Sequence, residues 1–321
     1  IMQMWQHIHD FSWFNRKWAG AHDDGTIEFV CPFHRGDVLI GIQVAAQATR
    51  MGLRVRMHVA ESLIGWVRDF APNFAVEPLP VPVPPADLTV LNLLRSYLYV
   101  VQRLDASPRI IRSHPMRDLD KTGRNLVAAM AQAIGLPRDT KLVALRPVPQ
   151  RQQIKAMSSL LAPYGDMTVI IHRSGGWALK TIPDPILRKL VSWLKKRHFT
   201  VIQIGGPGDE QIEYFDGWIT ANLSPAEWTV IFRKAKVVIG VDSWSSHLAA
   251  ILDVPQITLY GSTQPQHVSS KHSFAEQHAP ALIVDPVVDC SPCNSLICLR
   301  APVDFCAGYA LDEAVVNDFL V

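Results

Sequence analysis

The segment from Val237 to Tyr260 constrains the fold more than any other part of this chain. It reads VVIGVDSWSSHLAAILDVPQITLY. A buried strand runs into a glycine and a polar stretch, an apolar run at helical spacing follows, and a second buried strand closes the segment. A strand, a helix and a strand in this order form the repeating unit of a parallel sheet. The segment therefore predicts an α/β fold.

The same alternation recurs along the chain. The second half has strand patterns at 167–172, 200–204, 237–240 and 256–260, and helical patterns at 185–197, 228–234 and 246–252. The first half has strands at 26–32 and 53–59 around a helix at 38–51, which Gly52 closes where glycine is expected. Two such blocks predict two Rossmann-like domains that face a central cleft.

The domain boundaries follow from the segments between these blocks. Residues 1–25 are rich in aromatic residues and have little periodicity, so we assign them to an N-terminal extension. Six prolines between positions 72 and 85 predict an extended loop within the first domain. The turn around Gly165 separates a first domain at 26–163 from a second at 164–321.

Charge and composition exclude several classes of protein. A hydrophobic share of 48% with 19% charged residues excludes a disordered chain, and a net charge of +2 is not that of a nucleic-acid binder. Residues 1–160 contain 19 Lys and Arg against 13 Asp and Glu, a net +6, whereas residues 161–321 contain 12 against 16, a net −4. The first half should therefore favour an anionic partner.

The compartment is predicted from what the sequence lacks. No window reaches the roughly 18 apolar residues that a spanning helix needs, and the N-terminus shows no signal-peptide pattern. Five cysteines in 321 residues do not make a secreted disulfide scaffold. We expect a cytoplasmic protein without a transmembrane segment.

The polar stretch after the strand at 237–240 is a candidate anion site. The first backbone N–H groups of a helix have no intrahelical acceptor, and together with the helix dipole they attract an anion such as a pyrophosphate. Ser243, Ser245 and Ser246 would add hydroxyl donors there. The alternative is an ordinary helix cap, in which Asp242 or a serine satisfies those amides.

The loop after the strand at 167–172, HRSGGWALKTIP, lies at the same carboxyl edge of the sheet. Gly175 and Gly176 would let a ligand approach the backbone closely, and Lys180 would supply a positive charge for a phosphate. The alternative is that Lys180 is a solvated surface residue.

Two acidic residues also follow strands. In GGPGDE, at 205–210, Asp209 is a candidate ribose ligand, although the spacing is not GxGxxG and an ordinary turn is an equal alternative. Asp37 follows the first strand, near the start of a helix. It either caps that helix or acts as a base that takes a proton from a hydroxyl.

The C-terminal region contains a cysteine cluster. Cys290, Cys293, Cys298 and Cys306 give the spacing C-x2-C-x4-C-x7-C. Four thiolates at such a spacing can hold a structural zinc or an iron. Reduced thiols packed in a loop, or disulfides in an oxidising compartment, are the alternatives.

Taken in order, these segments resemble glycosyltransferase family 9, the ADP-heptose heptosyltransferases of lipopolysaccharide assembly. The resemblance runs from about Thr26 to the C-terminus and is weakest between residues 70 and 150. Its most specific stretch, GVDSWSSHLAAILDVPQITLYGSTQP, is similar to the donor loop of the family. Trp244 stands where the family usually has glycine, and KTIP stands for its usual Lys-x-Trp-Pro. The resemblance implies the two-domain GT-B architecture and an inverting mechanism.

The resemblance also implies roles for individual residues. Asp37 would be the general base, and Lys180 would contact the donor phosphate. The donor diphosphate and sugar would be held by Asp242, Ser243, Ser246 and His247. No catalytic metal is expected, and ADP-heptose is the expected donor.

The identity of the acceptor is left open by the sequence. The expected acceptor is a hydroxyl of the lipopolysaccharide core or of a related, lipid-linked glycan. A protein acceptor is an alternative, because heptosyltransferases that modify autotransporters carry a four-cysteine iron site. From other classes, a two-domain nucleotide-binding oxidoreductase and an inactive binding subunit stay open, as does a homo-oligomer.

Overall fold

The structure is a computed structural model that describes residues 26–31, 35–78, 110–112, 125–137, 139–176, 178–271, 273–291, 293, 298, 309 and 311–320. The chain divides into two compact units. One comprises residues 1–122 and 126–140, and the other comprises residues 123–125 and 141–321. The predicted N-terminal extension, residues 1–25, lies outside the described residues.

The described part of the first unit contains a parallel sheet. Its strands are β1 (Ile27–Cys31), β2 (Val55–Val59), β3 (Val76–Pro78) and β4 (Ile110–Arg112), in the order β3-β2-β1-β4. Its helices are α1 (Arg35–Arg50), α2 (Ile64–Phe70) and α3 (Leu126–Ala133). From β1 the chain proceeds to β2 and β3 on one side, and β4 pairs on the other side of β1. The order changes direction between β1 and β4.

Helix α1 packs closely on the centre of this sheet. A methyl group at Gly41 would lie 2.6 Å from Cys31 Sγ and 3.3 Å from the Phe29 ring, so a glycine is needed where helix and strand meet. The helix ends at Arg50, and the turn that follows it contains Gly52 as predicted, with a φ of 88° that residues with a side chain rarely adopt.

The proline-rich segment differs in part from its prediction. We expected an extended loop, but residues Val76–Pro78 form β3 at the edge of the sheet. An edge strand tolerates proline because one side of it needs no ladder hydrogen bonds. Residues 79–85 lie outside the described part of the chain.

The second unit contains a larger parallel sheet. Its described strands pair in the order β10-β9-β8-β5-β6-β7. They are β5 (Thr168–His172), β6 (Thr200–Gly205), β7 (Gly217–Thr220), β8 (Val237–Val241), β9 (Gln256–Leu259) and β10 (Ala281–Val284). The helices are α4 (Arg151–Leu161), α5 (Asp184–Lys196), α6 (Pro225–Lys234), α7 (Trp244–Leu252), α8 (Pro265–Val268) and α9 (Glu313–Leu320).

The strand order of the second sheet creates a topological switch point. The chain runs outward from β5 through β6 to β7 in one direction, and from β8 through β9 to β10 in the other. This is the doubly wound Rossmann order, in which ligands bind beyond the carboxyl ends of the two central strands. The switch point of this sheet lies between β5 and β8.

The boundary between the units lies elsewhere than the sequence indicated. Residues 141–163, which we assigned to the first domain, lie in the second unit. Leu142 forms a bridge with Phe274, and Arg146 Nε donates to the carbonyl of Ile251 at 3.0 Å. Helix α4 packs on α6. These long-range contacts leave no local pattern in the sequence. The turn around Gly165 therefore indicated a different boundary from the one that the contacts define.

Candidate functional site

The loops that follow β5 and β8 meet at the switch point of the second sheet. Lys180 comes from the loop after β5, and Asp242 comes directly after β8. Lys180 Nζ lies 2.5 Å from Asp242 Oδ2, and the side chains of the two residues are 12% and 4% exposed. The two residues that the sequence placed on one sheet edge therefore form a largely buried ion pair.

Asp242 is held from several sides. Thr263 Oγ1 donates to Asp242 Oδ2 at 2.8 Å, and His247 Nε2 lies 3.9 Å from Asp242 Oδ1. Burial by itself would raise the pKa of Asp242, but the charges of Lys180 and His247 and the hydrogen bonds from Lys180 and Thr263 outweigh it. The pKa of the Asp242 carboxyl is lowered as a result, and the group is ionised at neutral pH.

The loop after β5 owes its shape to Gly175. The Gly175 N–H donates to the Lys180 carbonyl at 2.6 Å, and a bridge joins Ser174 to Thr181, so the loop folds back on itself. A methyl group at Gly175 would lie 2.8 Å from Lys180 Cβ and 3.2 Å from the Asp242 carbonyl oxygen. Any larger residue would push Lys180 away from Asp242. Gly176 is half-buried in the same loop.

The start of α7 lies beside this ion pair. Ser243 precedes the helix with an extended backbone, at φ −156° and ψ 175°. Ser246 Oγ donates to the Ser243 carbonyl at 2.8 Å, and the Ser246 N–H bonds the same carbonyl at 3.1 Å. The first-turn N–H groups of Trp244 and Ser245 have no intrahelical acceptor by helix geometry. They point along the helix axis with the positive end of its dipole.

Two residues of this helix start face the interior of the unit. Ser245 is fully buried, and its Oγ hydrogen-bonds His172 Nδ1 at 2.9 Å. The Trp244 ring packs 5.2 Å from His172 and 5.1 Å from Trp228 between ring centroids, and 5.9 Å from Phe232. The bulk of Trp244 is therefore accommodated by the core. The structure does not place the Ser245 hydroxyl on the ligand side, where the sequence predicted it.

Sequence reasoning missed three members of this site. His172 ends β5, Thr263 donates to Asp242, and Ser270 Oγ hydrogen-bonds His247 Nδ1 at 2.8 Å. Thr263 lies inside the GSTQP end of the donor-loop stretch, and His172 lies at the carboxyl end of a central strand. Those positions in the sequence could have pointed to His172 and Thr263. No sequence feature points to Ser270, since only the fold brings it to His247.

Asp209 is engaged in its own turn. Its Oδ2 accepts a hydrogen bond from the Gly206 N–H at 2.6 Å. A methyl group at Gly205 would lie 2.2 Å from that oxygen, so the glycine makes room for the turn. The Glu210 carboxylate, in turn, pairs with Arg173 at 3.3 Å. These contacts fit the turn alternative for Asp209, and its role as a ribose ligand stays a prediction.

Asp37 occupies the corresponding place in the first unit. It is the third residue of α1, which follows β1, and its side chain is half-buried. Since the strand order of that sheet changes direction at β1, Asp37 lies at the switch point of the first sheet. The sequence pattern predicted that Asp37 follows the first strand near the start of a helix. The role of Asp37 as a base stays a prediction.

The described cysteines do not form a metal site. Cys290, Cys293 and Cys298 are thiols, and no group of three or more His, Cys, Asp or Glu side chains in the described ranges is arranged to hold a metal. Cys306 lies outside the described residues. The three thiols present do not by themselves fit a tetrahedral centre, so no role is derived from a metal here.

A membrane-spanning helix is not found in the described part of the chain. None of its helices combines sufficient length with sufficient hydropathy to cross a bilayer.

A comparison with models of known protein families finds a match. Residues 123–278 match the model of glycosyltransferase family 9 (heptosyltransferase). This range contains Lys180 together with the start of α7. A comparison with curated protein sequences yields no match.

Solved structures share the fold at low sequence identity. ADP-heptose LPS heptosyltransferase II of E. coli is 11% identical, with a TM-score of 0.59 over 92% of this chain and 98% of that one. E. coli heptosyltransferase WaaC, solved with ADP, is 16% identical, with a TM-score of 0.54 over 92% and 98%. The iron-containing dodecameric glycosyltransferase TibC of enterotoxigenic E. coli is 15% identical, with a TM-score of 0.58 over 87% and 69%. The chain thus has the expected α/β fold of the GT-B glycosyltransferases.

Proposed function

Residues 123–278 belong to glycosyltransferase family 9, the chain is a glycosyltransferase, and on this premise we propose that it transfers a heptose from ADP-heptose. The acceptor is a hydroxyl of the lipopolysaccharide core or of a related glycan. The single observation that carries the proposal is the ion pair of Lys180 with Asp242 at 2.5 Å, beside the start of α7 and within the family domain. That arrangement suits a nucleoside diphosphate.

The donor diphosphate would bind where backbone amides and a fixed cation occur together. Lys180 supplies the cation, and the first turn of α7 supplies N–H donors and the positive end of the helix dipole. Gly175 lets the neighbouring loop pack against Lys180 and the Asp242 carbonyl, and Gly176 would let the diphosphate approach the backbone of that loop closely. Ser243, Ser246 and His247 line the same helix start and would contribute donors to the diphosphate and the sugar.

The reaction needs a base and a stabilised leaving group. The acceptor oxygen would form a bond to the anomeric carbon as the bond from that carbon to the diphosphate oxygen breaks, which inverts the configuration. Asp37 would take the proton of the acceptor hydroxyl. The negative charge that develops on the departing ADP would be met by Lys180 and the α7 amides, preorganised before the reaction begins. No step of this scheme requires a divalent ion.

The net charge of the two units does not distinguish their roles. The basic excess of residues 1–160 includes Lys141, Arg146, Arg151 and Lys155, which lie in the second unit. With the observed boundary, the first unit has 14 Lys and Arg against 13 Asp and Glu, and the second has 17 against 16. An anionic donor would therefore be bound by the local cation and amides, which act at short range, and not by the total charge of the unit.

A thermal-shift panel of the diphosphates ADP, GDP, UDP and dTDP, with NAD measured alongside, tests the donor assignment. A ligand that binds only the folded state raises the melting temperature, by an amount that grows with the logarithm of 1 plus the ratio of the free ligand concentration to Kd. We expect ADP to raise it and the other three to leave it unchanged at equal concentration. Stabilisation by UDP or GDP alone would overturn the choice of nucleotide, and stabilisation by NAD alone would favour the oxidoreductase.

A protein acceptor is the second candidate, because the chain shares the fold of TibC and has four cysteines within residues 290–306. On that alternative, the four thiols would hold a structural iron or zinc, the chain would assemble into an oligomer, and a protein hydroxyl would attack the heptose. Metal analysis of the purified chain against a variant with Cys290→Ser and Cys293→Ser distinguishes the candidates. Equal metal content in the two proteins would remove the support for this alternative.

A further inference from the structure

The role of Asp242 can be taken further, because its geometry does not fit a residue that touches the donor diphosphate. Its side chain is 4% exposed. Oxygen Oδ2 receives both Lys180 Nζ and Thr263 Oγ1, and Oδ1 faces His247. A carboxylate that already has these internal partners has little surface left for a ligand, and it would repel a diphosphate.

Lys180 is the member of the pair that a solute reaches. Its side chain keeps 12% of its surface exposed, three times the exposed fraction of Asp242. An ammonium group carries three donors, so a lysine that bonds a carboxylate can also donate to a phosphate oxygen. Without a partner, a lysine side chain samples many rotamers, and a ligand must order it on binding. A partner that holds it in place removes that cost beforehand.

The surrounding contacts hold the carboxylate rigidly enough to act in this way. Thr263 Oγ1 orients Asp242 from one side, and the His247 ring, hydrogen-bonded to Ser270 at 2.8 Å, lies on the other. The loop that carries Lys180 is pressed against the Asp242 backbone at Gly175. The ion pair is therefore built into two loops at once.

We propose that Asp242 is a positioning residue, which fixes the Lys180 ammonium for the donor diphosphate and makes no contact with the diphosphate itself. This inference rests on the proposed function, since it presumes that Lys180 meets a diphosphate. It differs from the role that the family resemblance implied for Asp242, that of a direct ligand to the donor diphosphate.

A double-mutant cycle tests the inference, with ADP as the probe and its Kd measured by calorimetry. The variants are Asp242→Asn, Lys180→Met and the combination of both. Asparagine keeps the shape and one acceptor oxygen but leaves the Lys180 ammonium without its counter-ion, so we expect ADP to bind about tenfold more weakly. Lys180→Met should weaken binding at least as much.

The double variant is decisive, because the effect of Asp242→Asn on ADP affinity should disappear or change sign when Lys180 is replaced. Once Lys180 is absent, the Asp242 carboxylate only repels the diphosphate, so Asp242→Asn should leave ADP affinity unchanged or improve it. A residue that acts independently of Lys180 would instead show additive effects. The inference would be overturned if Asp242→Asn weakened ADP binding equally with Lys180 and with methionine at that position. Unchanged ADP affinity in the single Asp242→Asn variant would overturn it as well.

Two further variants separate positioning from a loss of folding. Thr263→Val removes the second donor to Asp242 Oδ2, so it should weaken ADP binding in the same direction, and only when Lys180 is present. Asp166→Asn is the matched control, since it removes a carboxylate that pairs with Lys234 just before β5, at the opposite edge of the sheet. It should leave ADP affinity unchanged, and the melting temperature of every variant is measured alongside.

The failure of the proposed function is distinguishable from the failure of the inference. A wild-type chain that does not bind ADP would overturn both. A wild-type chain that binds ADP, with additive variants, would overturn the positioning role of Asp242 alone.

Discussion

Replacing Trp244 by alanine should destabilise the second unit strongly and leave ADP binding intact. The Trp244 side chain is 8% exposed, and its ring lies 5.1 Å from Trp228, 5.2 Å from His172 and 5.9 Å from Phe232. Truncation of a buried aromatic residue to alanine costs about 3–5 kcal/mol, including the cavity that remains. Aromatic pairs add about 0.5–1.5 kcal/mol each, which places Trp244 in the upper part of that range.

Calorimetric melting measures this cost. For a domain of this size, about 4 kcal/mol lowers the melting temperature by about 8–16 °C. Trp218 is the matched control, since it is 38% exposed and makes one hydrogen bond, from its Nε1 to the Ile212 carbonyl at 2.9 Å. Because far less of its surface is buried, Trp218→Ala should cost about 1–2 kcal/mol.

The same Trp244→Ala variant tests whether the side chain faces the core or the ligand. The backbone N–H groups at the start of α7 remain after truncation, so ADP affinity measured well below the melting temperature should stay within about threefold of the wild type. A variant that melts within about 3 °C of the wild type would refute the assignment of Trp244 to the core. A loss of ADP affinity beyond about tenfold in the folded variant would place its side chain in the donor site.

Two further predictions concern the acidic residues of the two switch points. Asp37→Asn should lower sugar transfer by about 10²–10⁴-fold, the usual contribution of a general base, with ADP affinity unchanged, and unimpaired transfer in a radiometric assay would remove Asp37 from that role. The second concerns Asp242, for which burial by itself would raise the pKa of the carboxyl but Lys180, His247 and Thr263 together lower that pKa below its ordinary value. A carboxyl whose pKa is lower in the folded than in the unfolded protein stabilises the fold at every pH above its unfolded pKa. That contribution is lost as the pH falls through its pKa in the folded protein. Below about pH 4 the melting temperature of the wild type should therefore decrease. Asp242→Asn should make this part of the plot of melting temperature against pH flatter, and identical plots for the two proteins would contradict the argument.

The elements around the site were predictable because their signals are local. Strands β5 and β8 are largely apolar runs, β6 and β9 are short segments that contain β-branched residues, and α5 carries its buried residues on one face (Leu187, Leu190, Val191 and Leu194). Their order along the chain was enough to place Lys180 and Asp242 at one edge of a parallel sheet. Strands β7 and β10 were not predicted, because each has only four residues (Gly217–Thr220 and Ala281–Val284) and therefore gives a weak strand pattern in the sequence.

The orientation of the side chains at the helix start was not predictable in the same way. Ser243, Ser245 and Ser246 are chemically alike in sequence, yet Ser245 turns inward to His172 while Ser246 bonds the carbonyl of Ser243. Successive helical residues point in directions about 100° apart, and only the position of the sheet decides which direction is the interior. The same holds for Trp244, whose fit depends on α6.

By itself, the sequence determined the two parallel α/β units, the loops that carry Lys180 and Asp242, and the similarity of residues 123–278 to glycosyltransferase family 9, because apolar period and chain order are properties of the chain alone. The tertiary structure decided that Lys180 and Asp242 touch, that Thr263 and Ser270 complete their surroundings, and that residues 141–163 join the second unit. Those facts depend on contacts between residues far apart in the chain. Burial and hydrogen bonding select such contacts only when the whole sheet and its helices are assembled.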